Sequence, residues 1–215
     1  MAKTWSADNP KAALMDRKRA AIVAAATTAF LDAGYAEASV NQIAADAGIS
    51  IKTLYRHFES KDDLFSAVMQ AACGRIGGAE DEGEPPPWYA EPPAKALAMA
   101  GEEYLNHALS PEQLALYQVV TRDAHRFPEV GRRYHDEVIG GRDAKFAGYL
   151  DLWAGREGWT VHDRTAASEA FAGLLKAGIF DQVLQGRRAL GEAEIAGQAA
   201  EAGRRMLILL RAGCF

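Results

Sequence analysis

Cysteine is nearly missing from this chain of 215 residues: there are two, Cys73 and Cys214, and neither has a companion at zinc-ligand spacing. That density excludes a disulfide-stapled fold and fits a reduced, cytoplasmic setting. No apolar run approaches the length that spans a bilayer, and the opening MAKTWSADNP lacks the apolar stretch of a signal peptide. The expectation is therefore a cytoplasmic protein with no membrane partner. Sustained apolar/polar alternation and β-branched runs are also lacking, which removes the sheet classes. Nor is positive charge in excess. With 24 Lys and Arg against 29 Asp and Glu the net charge is -5, so any contact with nucleic acid must be local. Catalytic signatures are absent as well. Di-iron helix bundles use Glu-x-x-His, but the residues three before His57, His107, His125, His135 and His162 are Leu54, Tyr104, Arg122, Arg132 and Trp159. With no Gly-rich phosphate loop and no nucleophile elbow, neither catalysis, a metal nor a cofactor is expected.

What remains is an Ala-rich, helix-prone composition, and all-α is its natural reading. The length suffices for one sizeable core or for a small domain and a larger one. Charge is unevenly divided. Residues 1–70 hold eight basic and eight acidic side chains, whereas residues 71–215 hold sixteen and twenty-one, which is the whole deficit.

The most informative stretch is SVNQIAADAGISIKTLYRHFESK, from Ser39 to Lys61. Ser39 followed by Gln42 is a capping-box pattern that predicts a helix from about Val40, carrying Ile43, Ala44 and Ala47 inward and stopping at Gly48. Ser50 caps a second helix, from Ile51 to about Phe58, with Leu54 and Phe58 on its inner face. Lys52, Thr53, Tyr55, Arg56 and His57 then face outward. A second capping box, Ser60 to Asp63, opens the next helix. Helix, short Gly-containing turn and helix is the helix-turn-helix arrangement, and the outer side of its second helix carries the charge and donors that DNA contact requires. Lys61 stands where its ammonium and the free N–H groups of a helix start can hold one phosphate.

These residues carry a resemblance. Ile43-Ala44, Ala47-Gly48, Thr53-Leu54-Tyr55, His57-Phe58, Ser60-Lys61 and Leu64, with Gly34-Tyr35 upstream, resemble the N-terminal helix-turn-helix of the TetR family of bacterial transcriptional regulators, from about Met15 to Met69. One departure is Lys52, which stands where many members carry Gly. The segment LALYQVVTRDAHRFPEVGRRYHDEV also resembles a ligand-domain segment of such regulators, in which acidic and basic residues precede Phe-Pro. The resemblance implies a three-helix DNA-binding domain followed by a helical domain for ligand binding and dimerisation.

Along the chain, residues 1–14 read as a loose arm and residues 15–76 as the DNA-binding domain with its connecting helix. Residues 77–93, GGAEDEGEPPPWYAEPP, form a linker or long loop, in which Trp88 and Tyr89 are candidates to anchor the loop or cover a pocket. Residues 94–215 form the second domain. The first helix should begin near Asp16 and run to Gly34. Arg17, Lys18 and Arg19 would then lie in its first turns, where the helix dipole disfavours cations unless a phosphate is near. Ser110-Pro111-Glu112-Gln113 is a strong helix start, with Leu114, Tyr117, Val120 and Ala124 as the inner face. A helix capped by Asp163 should extend to about Gln185, with Gly173 and Gly178 allowing close approach, and a last one from about Glu192 to the end.

On the resemblance, the expected function is that of a homodimeric repressor binding a near-palindromic double-stranded DNA operator and released by a small-molecule effector. Lys52 and Thr53 are the candidates for base edges; Ser39, Tyr55, His57 and Lys61 for phosphates, with Ser50 and Arg56 on the same surface. Candidate effector-pocket residues are Tyr104, His107, Tyr117, Arg122, Asp123 and His125. For the dimer interface they are Phe171, Leu174, Leu175, Gly178, Met206 and Leu210, by analogy with the family's four-helix bundle. The alternative is a dimeric small-molecule-binding module without sequence-specific DNA binding.

Overall fold

The computed structural model describes residues 10–73 and 85–215, and all regular structure among them is helical. Two compact units divide the chain: residues 1–72 with 115–137, and residues 73–114 with 138–215.

In the first unit, α1 (Pro10–Glu37) starts earlier than the sequence suggests. Proline suits the first helical position, where its missing N–H has no partner to lose, and Lys-Ala-Ala-Leu-Met continues the helix well. Arg17, Lys18 and Arg19 therefore lie inside the helix, and the expected dipole penalty at a helix start does not apply to them. At Gly34 the backbone leaves helical geometry (φ 83°, ψ 174°) and turns towards the short α2 (Val40–Asp46). Ser39 Oγ accepts the Gln42 N–H at 3.4 Å, but the Gln42 side chain does not complete the capping box. It donates one turn on, to Asp46, at 2.8 Å. In α3 (Ile51–His57) the Ser50 hydroxyl accepts from Thr53 N–H at 3.1 Å. α4 (Lys61–Cys73) is capped by Ser60, which accepts from Asp63 N–H, while the Asp63 carboxylate accepts from Glu59 N–H, one residue before the expected partner. The expected continuation of α4 to Ile76, and the linker to residue 84, lie outside the described residues.

The core of this unit joins Ile22, Ala26 and Phe30 of α1 to Ile43, Leu54, Phe58, Leu64, Phe65 and Met69. It also takes in Leu116, Val119, Val120 and Val130, from α6 (Pro111–Asp123) and α7 (Pro128–Tyr134). The sequence-based division placed this whole segment in the second domain; residues 115–137 belong to the first compact unit, because their apolar face is part of its core.

In the second unit a 3-10 turn (Pro87–Ala90) leads into α5 (Pro93–Ala108). Trp88 is buried in this turn, its Nε1 donating to Glu103 at 2.8 Å, and Tyr89 donates its hydroxyl to the Lys145 carbonyl at 2.8 Å. After a π-helical turn (His135–Ile139) comes α8 (Gly140–Glu157). The long helix expected after Asp163 is two: α9 (Arg164–Lys176) and α10 (Phe180–Leu184), interrupted at Gly178, whose φ of 76° no helix tolerates. α11 (Glu192–Arg211) closes the unit and packs along α5.

Close approach falls not at Gly173 or Gly178, where an added Cβ meets nothing within 4 Å, but at Gly203 of α11. A Cβ there would stand 3.2 Å from the backbone of Leu97 and Ala98. Gly203→Val should cost about 2 kcal/mol, because two helix backbones would have to part. Denaturant unfolding measures this, and an unchanged midpoint would refute the close contact.

Candidate functional site

The outward face of α3 rests on Leu54 and Phe58, both almost wholly buried, which fixes the helix by its underside. Lys52, Tyr55 and Arg56 are exposed and Thr53 and His57 half-buried. Thr53 Oγ1 lies 2.9 Å from Ser50 Oγ, so the two hydroxyls form one polar group at the helix start. Ser39 is exposed at the start of α2. Arg19 extends this surface. Its guanidinium lies 4.5 Å from the Phe58 ring centroid and donates to the His57 carbonyl at 3.4 Å. Burial, then the cations Arg56, Arg19 and Lys18, hold the His57 imidazole below its ordinary pKa, so the free protein keeps it neutral at pH 7.

Lys61 is less exposed than a pure phosphate contact would be. Its ammonium donates to the Ala36 carbonyl at 3.0 Å and stands 5.0 Å from the Tyr35 ring centroid. Burial lowers its pKa, with the Glu37 and Asp123 carboxylates acting the other way. One of its three donors is thus committed to the bend between α1 and α2.

That bend is braced from α6. Asp123, 7% exposed, accepts from Tyr35 N–H at 2.6 Å and from Ala36 N–H at 3.4 Å. Arg122 donates to the same carboxylate at 3.1 Å. A Cβ on Gly34 would run into the Arg122 guanidinium, and the φ/ψ pair at Gly34 is one that only glycine adopts readily. Tyr35 is the hub of the bend, with its hydroxyl donating to Asp62 and its ring against Phe30, Phe65 and Phe127.

Arg122 and Asp123 therefore brace the bend instead of lining a pocket. Tyr117 packs against Tyr134 in the same unit, and His125 is exposed. A cavity lies wholly within the second unit, with an empty volume of about 520 Å³ that includes open solvent. Trp88, Ala100, Tyr104, Phe146, Phe171, Ala172 and Leu175 form most of its wall, and Glu103, Arg142, Lys145 and Ser168 supply the polar groups. Of the six candidates only Tyr104 is there; His107, on the same helix, is not among the lining residues. Sequence reasoning missed Arg142, Lys145 and Ser168, although Arg142 precedes Phe146 by four residues and Ser168 precedes Phe171 by three, the spacing of one helix face.

The dimer candidates also need correction. Phe171, Leu175, Met206 and Leu210 are 5%, 1%, 0% and 1% exposed within a single chain, so they have almost no surface left for a partner. Leu174 and Gly178 retain surface, and Ile208, at 66% exposure, is the large apolar side chain that sequence reasoning passed over.

Residues 22–68 match the family model described as bacterial regulatory proteins of the tetR family, and residues 95–209 that of the AefR-like transcriptional repressor C-terminal domain. The chain belongs to the TetR family. Its all-α architecture is the TetR fold: a putative TetR-family regulator from Mesorhizobium loti matches with a TM-score of 0.76 at 23% identity, over 91% of this chain and 97% of that one. The flavonoid-responsive regulator FrrA matches with a TM-score of 0.75 at 23% identity, over 90% and 96%. The HTH-type transcriptional activator FasR from Mycolicibacterium smegmatis is 44% identical over 55 residues, 26% of this chain and 25% of FasR. The protein is thus a TetR-family transcriptional regulator. Among its described residues, no helix is long and apolar enough to cross a membrane.

Proposed function

We propose that this regulator binds a near-palindromic DNA operator as a homodimer, represses transcription from it, and is released by a small molecule held in the cavity of the second unit. The observation that carries the DNA reading is the polar face of α3, with Lys52, Tyr55 and Arg56 exposed above a buried apolar underside. Two copies would set their α3 helices in successive major grooves, about 34–36 Å apart. Leu174, Gly178 and Ile208 are the surface proposed for pairing. Release requires that the effector favour the conformer whose reading helices no longer match that spacing. FasR is named an activator and is matched over 55 residues, a quarter of its own length, so the sign of regulation is decided by its own test. Transcription of the controlled gene rises on deletion of a repressor and falls on deletion of an activator.

The decisive experiment is binding to the DNA upstream of the protein's own coding region, over a range of salt and with unrelated DNA as competitor, followed by selection from random-sequence DNA. Tight binding that survives competition supports a sequence-specific regulator. Failure to enrich any sequence favours the second reading, a dimeric small-molecule-binding module, which the balanced charge of residues 1–70 suggests.

A proton linkage follows from His57. Its depressed pKa in the free protein would be raised by a phosphate, so operator binding takes up a proton. Affinity should rise as pH falls from 8 towards 6, by at most about tenfold per unit, because a single proton is involved. In His57→Gln that slope should disappear; fluorescence anisotropy at constant ionic strength reads it directly.

A further inference from the structure

We infer that the cavity of the second unit accepts a flat, ring-bearing molecule with one carboxylate, and that Arg142 is the group that reads this anion. The inference rests on the effector reading above and deepens it.

Ring character comes from the wall. Four aromatic side chains line the cavity, and two of them, Phe146 and Phe171, stack with centroids 5.1 Å apart and planes 20° from parallel. Such a wall favours a flat apolar body and offers little to a polyphosphate. The cavity is partly open to solvent, so a ring can enter against this wall.

Anion recognition comes from how Arg142 is held. Its Nε and Nη2 donate to Asp143 Oδ1 at 2.9 and 2.7 Å, and the Ser168 hydroxyl donates to the same oxygen at 2.6 Å. The guanidinium carbon also lies 5.2 Å from the Tyr104 ring centroid. The fork is thus fixed before any ligand arrives, and its Nη1 edge is left for a guest. A carboxylate is the group whose geometry matches that edge.

Charge balance agrees. Of the charged groups lining the cavity, Arg142 and Lys145 are cations and Glu103 is the carboxylate, which already accepts from Trp88. Asp143 lies behind the guanidinium and is not among the lining residues. Burial and then the Arg142 guanidinium push the nearby Lys176 ammonium below its ordinary pKa, although Asp181 opposes them. An anion seated on Arg142 relieves that repulsion. A guest with no acceptor would leave the Nη1 edge unsatisfied in a mostly apolar site, and a neutral amide would offer it only an uncharged acceptor in place of a charge-assisted one.

The test is calorimetric binding of naphthalene carboxylate and of naphthalene carboxamide to the full-length protein. The wild type should bind the acid at least about tenfold more tightly than the amide, the size of one charge-assisted hydrogen bond. In Arg142→Gln the two should bind alike, whereas Lys145→Gln should keep the preference; the wild-type comparison stands even if a variant folds poorly. Ala172→Trp, which fills the cavity, should abolish both. Equal binding of acid and amide that Ala172→Trp removes would overturn the anion inference and leave the effector cavity standing. Binding that Ala172→Trp does not touch would overturn the cavity as the site. A preference that survives Arg142→Gln would overturn the role of Arg142, and binding of neither compound would overturn the flat anionic guest itself.

Discussion

Asp123→Ala should lower the stability of the first unit by about 2–3 kcal/mol, the expected cost of removing a charged acceptor from a buried N–H. The carboxylate is 7% exposed and accepts from Tyr35 N–H at 2.6 Å, so truncation strands a buried donor at the point where α1 bends towards α2. Asp123→Asn keeps a carbonyl acceptor and loses only the charge, so it should lose about half as much. Arg122→Ala is the contrast. Its side chain is 54% exposed, and an ion pair that open contributes less than about 1 kcal/mol. Denaturant unfolding ranks the three variants, and amide exchange at Tyr35 shows whether the loss is local. If Asp123→Ala unfolds like the wild type while Arg122→Ala does not, the brace has been assigned to the wrong side chain. The same brace has a functional consequence. Tyr35 also packs against Phe30, Phe65 and Phe127, so loosening the bend frees the base on which α2 and α3 are mounted.

Asp123 also illustrates what the chain reveals by itself. Caps are local, and Ser39, Ser50, Ser60, Ser110 and Asp163 each stand at a helix start as their neighbours require. The helix-turn-helix was legible for the same reason, since its signals lie within some twenty consecutive residues. The inner face of α6 was not. Its apolar residues Leu114, Leu116, Tyr117, Val119 and Val120 cover more than half the helix, so periodicity alone does not choose a face. The buried residues are Gln113, Leu116, Val119, Val120 and Asp123, polar at both ends, and at the Asp123 end the tertiary partners Tyr35 and Ala36 explain the polar group. Likewise Phe171, Leu175, Met206 and Leu210 have the apolar spacing of either a core or an interface, and burial within one chain decides for the core. Arg142 escaped notice because its value to a ligand comes from Asp143, Ser168 and Tyr104 together, and the last two lie on other helices.

On the reading of α3 as the DNA-contacting helix, the paired substitution of Lys52 and Arg56 by Ala should weaken operator binding about a hundredfold at moderate salt. It should also reduce the slope of log affinity against log salt by about 0.9 for the Arg56 phosphate contact, and by about twice that if Lys52 also sits on a phosphate. Both side chains are exposed and make no contact that folding depends on, so unfolding should stay as in the wild type. Taken singly, the two separate positioning from reading. If Lys52 touches a base edge, Lys52→Ala changes the sequence selected from random DNA; Arg56→Ala, on a phosphate, weakens all sequences alike. Lys61→Ala should behave differently from either. Its ammonium holds the Ala36 carbonyl at 3.0 Å, so its loss should weaken binding to every sequence and also loosen the bend that Asp123 braces. Binding titrations at several salt concentrations, run beside unfolding of the same variants, distinguish the three. If Lys52 and Arg56 could be replaced together with affinity and salt slope unchanged, α3 would not be the helix that meets DNA, whatever the family resemblance.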